Sequence, residues 1–304
     1  MRALVVYNAY SGRSALKNKI SRVIEPLARL YEIKLFESLG PRAITSYIAK
    51  KGMQYDLVIV CGGDGTAHEA INGIMQLDKR PRLAIIPMGT CNDFAKSLGY
   101  SKSINKCLKI IEANEAMKID ISKINDSYFN YGLAAGALTE ISYQTTHKSK
   151  LALGRLSYYL NVLARMRSKT TLDLKMSVDG AIPSSYSLSI LLATNSRYLA
   201  GFRLKRKNKI YLNDNTLQLM LIHKRGRLMT VLLFARALFF GEFKSRSVEF
   251  MNASRLTIEA NSEINYNTDG ELFTDRCKIE VEVLRDALEV IVNPRLINKC
   301  FIGR

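Results

Sequence analysis

The chain lacks the marks of export and of membrane insertion. Met1-Arg2 runs directly into Ala-Leu-Val-Val, and no small-residue cleavage site follows a long apolar region, so no secretory signal is expected. The longest apolar run, Leu228 to Phe240, carries Arg236 and falls short of the roughly 20 residues a spanning helix needs. The five cysteines (61, 91, 107, 277, 300) are odd in number and widely spaced. They show neither a disulfide nor a metal-ligand pattern, and a reducing cytoplasm is the expected setting. No helix-turn-helix, zinc-finger or aromatic RNA-binding motif is present, so nucleic acid is not expected as a partner. Repeats, low-complexity tracts and Pro-rich linkers are also missing.

What is present begins with charge. Lys and Arg total 45 against 27 Asp and Glu, a net of +18. The excess is concentrated: residues 145–245 hold 18 basic and four acidic side chains. A concentrated excess points to a face that meets polyanions. The candidates are Lys148, Lys150 and Arg155; Arg165, Arg167 and Lys169; Arg203 to Lys209; and Lys224, Arg225 and Arg227. Each basic residue near an anionic leaflet contributes about 1 kcal/mol. Within Leu228–Phe240, Leu228, Val231, Leu232, Ala235, Leu238 and Phe239 share one helical face, while Leu233 and Phe240 add apolar surface elsewhere. That stretch reads first as a core helix, with an interfacial helix as the alternative.

At 304 residues, 47% of them hydrophobic, the chain can build two packed domains. Short apolar runs at Ala3–Tyr7, Glu32–Phe36, Leu57–Val60 and Leu83–Ile86 alternate with helical periodicity, the pattern of a parallel sheet covered by helices. After about residue 120 the texture changes. Ile119–Ile124 and Tyr128–Leu133 flank Asn125-Asp126, Leu172–Val178 and Tyr186–Ala193 flank Asp179-Gly180, and strand patterns recur at 217–222, 255–260 and 278–283. This half reads as mostly antiparallel β, with a helical interruption near Leu156–Met166.

Three of the first strands end in polar, glycine-bearing loops: Asn8 to Arg13, Gly62-Gly63-Asp64-Gly65-Thr66, and Met88-Gly89-Thr90-Cys91-Asn92-Asp93. In a parallel sheet such ends lie along one edge, where ligands bind. Glycines let backbone N–H groups approach an anion, and the helix that follows offers its positive end to phosphate. Thr66 and Glu69 have capping-box spacing, which marks Thr66 as the expected N-cap. Alone, the second loop reads equally well as a plain tight turn; the two companions favour a nucleotide site. It is neither a Walker loop nor a Gly-x-Gly-x-x-Gly turn.

The stretches Val60 to Thr66, Glu69-Ala-Ile-Asn-Gly73, Ile86 to Ala95, Ile119-Asp-Ile121, Ala134-Ala-Gly136 and Thr268-Asp-Gly-Glu271 resemble, in order, the diacylglycerol kinase catalytic-domain family, especially its soluble bacterial members. The resemblance implies a two-domain α/β protein: a three-layer nucleotide-binding domain akin to phosphofructokinases and NAD kinases over 1–120, with about 293–304 packing back, and an antiparallel β-sandwich over 121–292. The active site would lie in the cleft between them. It implies an ATP-dependent lipid kinase using Mg²⁺, with diacylglycerol as the first acceptor and phosphatidylglycerol or a long-chain base as alternatives. A weak or silent member that binds lipid or nucleotide as a regulator is the rival reading. The implied ATP contacts are Asn8, Ser38, Gly62, Gly63, Asp64, Gly65, Thr66, Ala67, His68, Glu69, Gly89, Thr90 and Asn92. Asp269 matches the catalytic base, with Asp64 serving the metal. Asp93, Asp120 and Glu271 match an acid network. Asp214, with the carbonyls of Tyr211 and Thr216, matches a structural magnesium site. On spacing alone Asp269-Gly270 is an ordinary hairpin turn and Asp214 a turn residue.

Departures from the family pattern are Ala9 for Pro, Arg13 for Lys, Ala67 and His68 for Leu and Asn, Asn161 for Lys and Asn215 for Gly. His68 is expected at the surface or in packing rather than in the chemistry. The resemblance also implies a peripheral location at the inner membrane face, an anionic membrane surface as partner, and leaves room for a homodimer.

Overall fold

The computed structural model describes residues 1–8, 13–137, 171–199, 201–204, 210–241 and 243–303. The expected helix near Leu156–Met166, Asn161, and the basic residues 148–169 and 205–209 lie outside that set.

Four parallel strands open the fold: β1 (Arg2–Asn8), β2 (Glu32–Ser38), β3 (Leu57–Gly62) and β4 (Arg82–Pro87), in the order β2-β1-β3-β4. Ala3 to Val6 and Leu57 to Val60 are fully buried. That is why they are continuous apolar runs: a central parallel strand is covered on both faces. Edge strand β2 is less covered, with only Ser38 buried. Helices α1 (Arg13–Leu27), α2 (Ala43–Lys51), α3 (Asp64–Ile74), α4 (Asp93–Ser97) and α5 (Ile104–Ala113) connect and flank these strands.

The second half is antiparallel: β5 (Ala116–Ile124), β6 (Ser127–Phe129), β7 (Leu133–Gly136), β8 (Leu172–Val178), β9 (Ser184–Thr194), β10 (Tyr198–Leu199), β11 (Phe202–Arg203), β12 (Leu217–His223), helix α6 (Arg227–Phe240), β13 (Val248–Ala253), β14 (Arg255–Thr268) and β15 (Glu271–Ile291). Helix α7 (Ile297–Cys300) ends the described chain's elements. Alternate residues of β9 and β12 face opposite ways. Leu191, Ala193, Leu219 and Leu221 enter the sandwich core with Phe129 and Tyr266. Ile190, Leu192, Met220 and Ile222 pack instead on Phe234 and Ala237 of α6.

The two halves share backbone. β15 pairs antiparallel with β14 and β5, then meets β4 in parallel at Val290 and Leu83. The expected boundary at residue 120 therefore falls inside β5, not in a connecting crossing. Ile297, Cys300 and Phe301 bury into the first core beside Cys107 and Val292.

Candidate active site

The ends of β3 and β4 bring two glycine loops into contact. A Cβ on Gly89 would lie 2.5 Å from the Gly63 Cα, and one on Gly63 would lie 3.2 Å from the Gly89 Cα. Only glycine at both positions lets the backbones meet this closely. Asn92, in the left-handed region at φ 53, ties the second loop: its Oδ1 accepts from the Gly89 amide at 2.8 Å and its Nδ2 donates to the Gly89 carbonyl at 2.7 Å. Thr90 stands exposed at the tip.

Helix α3 begins three residues earlier than the capping-box spacing suggests. Gly63 in extended backbone is the N-cap, and Asp64 occupies the first helical position, where its charge complements the helix dipole. Thr66 sits one turn in, its side chain folded over Gly62. Glu69 does not reach back to cap. Its Oε2 accepts from the Ile44 amide at 3.2 Å and so fixes the start of α2. Ala67 packs in the core. Ser38 is buried at the end of β2 and donates to the Gly40 carbonyl at 3.0 Å. Asn8 closes β1 and lines the cleft.

Asp64 lies against Asp93. Burial first, then the Asp93 charge, pushes the Asp64 carboxyl up to about 6 against the pull of the Phe94 and Asn92 amides; Asp269 adds to the rise. Asp93 is itself buried, 3.3 Å from Lys96 Nζ, and both its oxygens accept from the Gly201 amide at 2.9 Å.

Asp269 and Gly270 form the turn between β14 and β15, with φ of 54 and 95. Two successive positive φ values are what an Asp-Gly hairpin turn supplies. Asp269 is nonetheless more than a turn residue. Its side chain is 1% exposed. Oδ1 accepts from the Tyr131 and Gly132 amides at 2.9 and 3.0 Å, and Oδ2 from the Asn130 amide at 2.7 Å. The His68 Nδ1 lies 3.0 Å from Oδ2. His68 is thus partly buried, its ring bonded to the other half of the molecule. Burial alone would lower its pKa; the Asp269 hydrogen bond and the charges of Asp269, Glu271 and Glu69 outweigh that and raise it.

The cleft between the halves, about 730 Å³, is lined by Asn8, Arg42, His68, Glu69, Asn72 and Glu271 among others. Glu271 stands over Gly65, whose Cβ would lie 3.3 Å from its Oε1.

Two implied groupings separate. Asp120 is not placed in the acid cluster: Oδ1 accepts from the Asp286 amide at 2.9 Å and Oδ2 from the Asn215 amide at 2.5 Å. Burial, and then the charges of Asp214 and Asp286, raise its pKa against those amide bonds. Asp214 lies in the same turn, its Oδ1 accepting from the Thr216 amide and hydroxyl at 3.1 and 2.7 Å. Residues missed in the sequence include Asn72, which binds the Tyr128 backbone from both ends of its amide at 2.9 and 3.0 Å, and Asn130, buried with both side-chain polar atoms unpartnered among the described residues. The Asn72 signal was present in the Glu69-Ala-Ile-Asn-Gly73 stretch; nothing local marks Asn130.

Glycine loops at a helix start, faced across a cleft by a buried Asp turn, make a site fit for a phosphate-bearing ligand. Residues 2–124 match the Diacylglycerol kinase catalytic domain and residues 133–292 the YegS C-terminal NAD kinase beta sandwich-like domain. The chain is 33% identical over 282 residues to a diacylglycerol kinase of Staphylococcus carnosus, covering 89% of this chain and 88% of the relative. It is 30% identical over 273 residues to that of Bacillus subtilis, covering 89% of each. A solved Bacillus anthracis structure described as a diacylglycerol kinase superposes with a TM-score of 0.82 at 27% identity, over 97% of this chain and 98% of that one. An Archaeoglobus fulgidus NAD kinase in complex with ATP shares the fold, with a TM-score of 0.55 at 15% identity, over 98% and 96% of the two chains. The chain belongs to the diacylglycerol kinase family and is a lipid kinase.

Proposed function

We propose that this kinase transfers the γ-phosphoryl group of ATP to the free hydroxyl of diacylglycerol, giving phosphatidic acid, at an anionic membrane surface. The observation that carries the reading is the His68–Asp269 bond, which seats the β14–β15 turn on the helix that follows the glycine loop. Phosphoryl transfer asks the protein to position donor and acceptor, to neutralise charge and to take one proton. Backbone amides around Gly63, Gly65 and Gly89 hold the phosphates, and the Asp269 turn receives the acceptor's proton.

Neutralisation needs a cation. Asp64, Asp93, Glu69 and Glu271 would repel a triphosphate, and Arg42 is the one basic residue among the described residues lining the cleft. No group of three or more His, Cys, Asp or Glu among the described residues is placed to hold a metal. The pair Asp64 and Asp93 fits Mg²⁺, which keeps several waters and takes one or two carboxylates plus substrate phosphates. Held there, it would neutralise charge on the substrate's phosphates. Asp214, with the Tyr211 and Thr216 carbonyls, is proposed as a second, structural cation site. Oδ2 of Asp214 takes neither Thr216 bond, and Asp120 faces it.

Among the described residues no helix is long and apolar enough to cross a membrane. Helix α6 offers a docking face instead. Thr230, Phe234 and Ala237 bury one side. Leu228, Met229, Leu232 and Phe240 on the other side are 74, 50, 54 and 79% exposed, beside Arg225 and Arg236. The stretch is therefore neither wholly core nor wholly surface, and its outer half suits an anionic interface.

Labelled ATP, Mg²⁺ and a panel of diacylglycerol, phosphatidylglycerol and a long-chain base test the acceptor, with heat-inactivated protein as control. Diacylglycerol is expected to give labelled phosphatidic acid. Labelling of another lipid in its place overturns the acceptor assignment.

A further inference from the structure

Tyr131 stands between the two halves of the site. It follows β6 in the second half, yet its side chain packs on the core of the first. Both its backbone and its side chain hold Asp269. The Tyr131 amide donates to Asp269 Oδ1 at 2.9 Å, and the Tyr131 hydroxyl donates to the Asp269 carbonyl at 2.8 Å. One residue thus fixes the carboxylate and the peptide of the turn together. Burial first, then the charges of Asp64, Asp269 and Asp93, push the phenol well above its usual range. It stays a neutral donor, within electrostatic reach of the acid pair as well as of the turn.

The Tyr131 carbonyl is tied in its turn. It accepts from the Thr194 hydroxyl. Thr194 Oγ1 accepts from the Ser196 amide at 3.0 Å, Ser196 Oγ lies 3.0 Å from Ser97 Oγ, and Ser97 Oγ donates to the Asp93 carbonyl at 3.1 Å. Thr194, Ser196 and Ser97 are all buried. The hydroxyl protons are consistent along this path: Ser97 gives its own to Asp93, so Ser196 donates to Ser97. A bonded path therefore runs from the Asp269 turn through Tyr131 to the backbone of Asp93, which lies against Asp64.

We propose that Tyr131 is a positioning residue for phosphoryl transfer, holding the Asp269 turn in place against the Asp64–Asp93 pair. The proposal rests on the kinase reading above and adds the group that keeps its two walls in register. Tyr131 makes and breaks no bond to the substrates. Transfer requires the acceptor's proton to be received at one wall while the γ-phosphoryl group is held at the other, and a misplacement of about 1 Å costs on the order of 100-fold in rate. The His68 ring makes a separate tie, 3.0 Å from Asp269 Oδ2. Loss of the Tyr131 hydroxyl therefore loosens the turn without releasing it.

Tyr131→Phe keeps the ring and its packing and removes only the bond to the Asp269 carbonyl. With labelled ATP and diacylglycerol vesicles, kcat should fall roughly tenfold while KM for ATP stays within about twofold. A residue that serves packing alone would leave kcat unchanged, since phenylalanine packs equally well. Thr194→Val cuts the same path one step further on. It should lower kcat in the same direction, and the double variant should lose less than the product of the two single losses. An active wild type whose Tyr131→Phe variant keeps kcat overturns the proposal. So does a kcat loss matched by an equal rise in KM for ATP, or fully independent effects in the double variant. A wild type that phosphorylates no lipid fails at the kinase reading instead, so the two failures are distinct.

Discussion

Replacing Asp64 with Asn should stabilise the metal-free protein while disabling it. In the fold this carboxyl is pushed from 3.8 up to about 6 by burial and by Asp93. The folded state thus disfavours the ionised form relative to the unfolded chain. The penalty is absent below pH 3.8, grows as pH rises from there, and is complete above about 6. Two pKa units at about 1.4 kcal/mol each make about 3 kcal/mol at neutral pH. Asn keeps the Oδ1 that accepts from the Phe94 amide at 3.2 Å and carries no charge. With an unfolding entropy of about 2.1 cal/mol/K per residue, 304 residues turn that energy into a Tm gain of about 5 °C. Calorimetry in EDTA at pH 7.5 and pH 4.5 reads it. The gain should be present in full at the first pH and cut to about a third at the second, and added Mg²⁺ should stabilise the wild type far more than the variant. Activity should fall on the order of 1000-fold, the scale of losing one electrostatic stabiliser of a transition state. A variant less stable than wild type in EDTA at pH 7.5, or a gain equal at both pH values, refutes the reasoning.

Gly89→Ala should push the two loops apart, since the new Cβ would sit 2.5 Å from the Gly63 Cα; overpacking of this kind costs about 1–3 kcal/mol, and thermal melts with the KM for ATP should register a lower Tm and at least a tenfold rise. Asp120→Ala should cost about 3 kcal/mol by denaturant titration, because the Asn215 and Asp286 amides lose their buried acceptor. Leu228→Asp, Leu232→Asp and Phe240→Asp together should abolish co-sedimentation with phosphatidylglycerol vesicles while leaving the melt unchanged, these side chains being exposed. Equal binding of wild type to neutral and anionic vesicles would contradict the docking face.

Features set by neighbours in the chain were legible; those set across it were not. The buried strands at Ala3–Val6 and Leu57–Val60 and the Asp179-Gly180 turn, with φ of 50 and 80, follow from local pattern and turn chemistry. The capping box at Thr66 and Glu69 misled because spacing alone cannot say which residue leaves the helix: extended Gly63 does, and Glu69 finds its partner at Ile44, 25 residues away. The bond between His68 and Asp269 spans 201 positions. No periodicity could announce it, and a ring in the first turns of a helix looks solvent-facing until the second half of the chain covers it. Helix α6 was ambiguous for a related reason. It is apolar on both sides, and only the strands beneath it decide which side is covered.

Asp120 shows how a buried acid can serve the backbone. β15 leaves the Asp269 turn, runs beside β14 and β5, and reaches β4 at Val290, whose partner strand ends in the Gly89 loop. One strand therefore links the Asp269 turn to the glycine loops. It is not straight: its register against β5 shifts between Leu284 and Leu288, with Asp286 in the left-handed region at φ 50. Asp120 accepts the amide freed at that bend and, with its other oxygen, the amide of Asn215 at φ 59. A buried carboxylate is costly unless such donors compensate it, and these two donors belong to backbone that a regular ladder would not leave free. Its placement in the acid cluster is thus corrected to a bracket at the bend of β15. What Asp120 holds is backbone, the Asp286 amide at the bend and the Asn215 amide of the neighbouring turn, so its replacement is expected to register in stability.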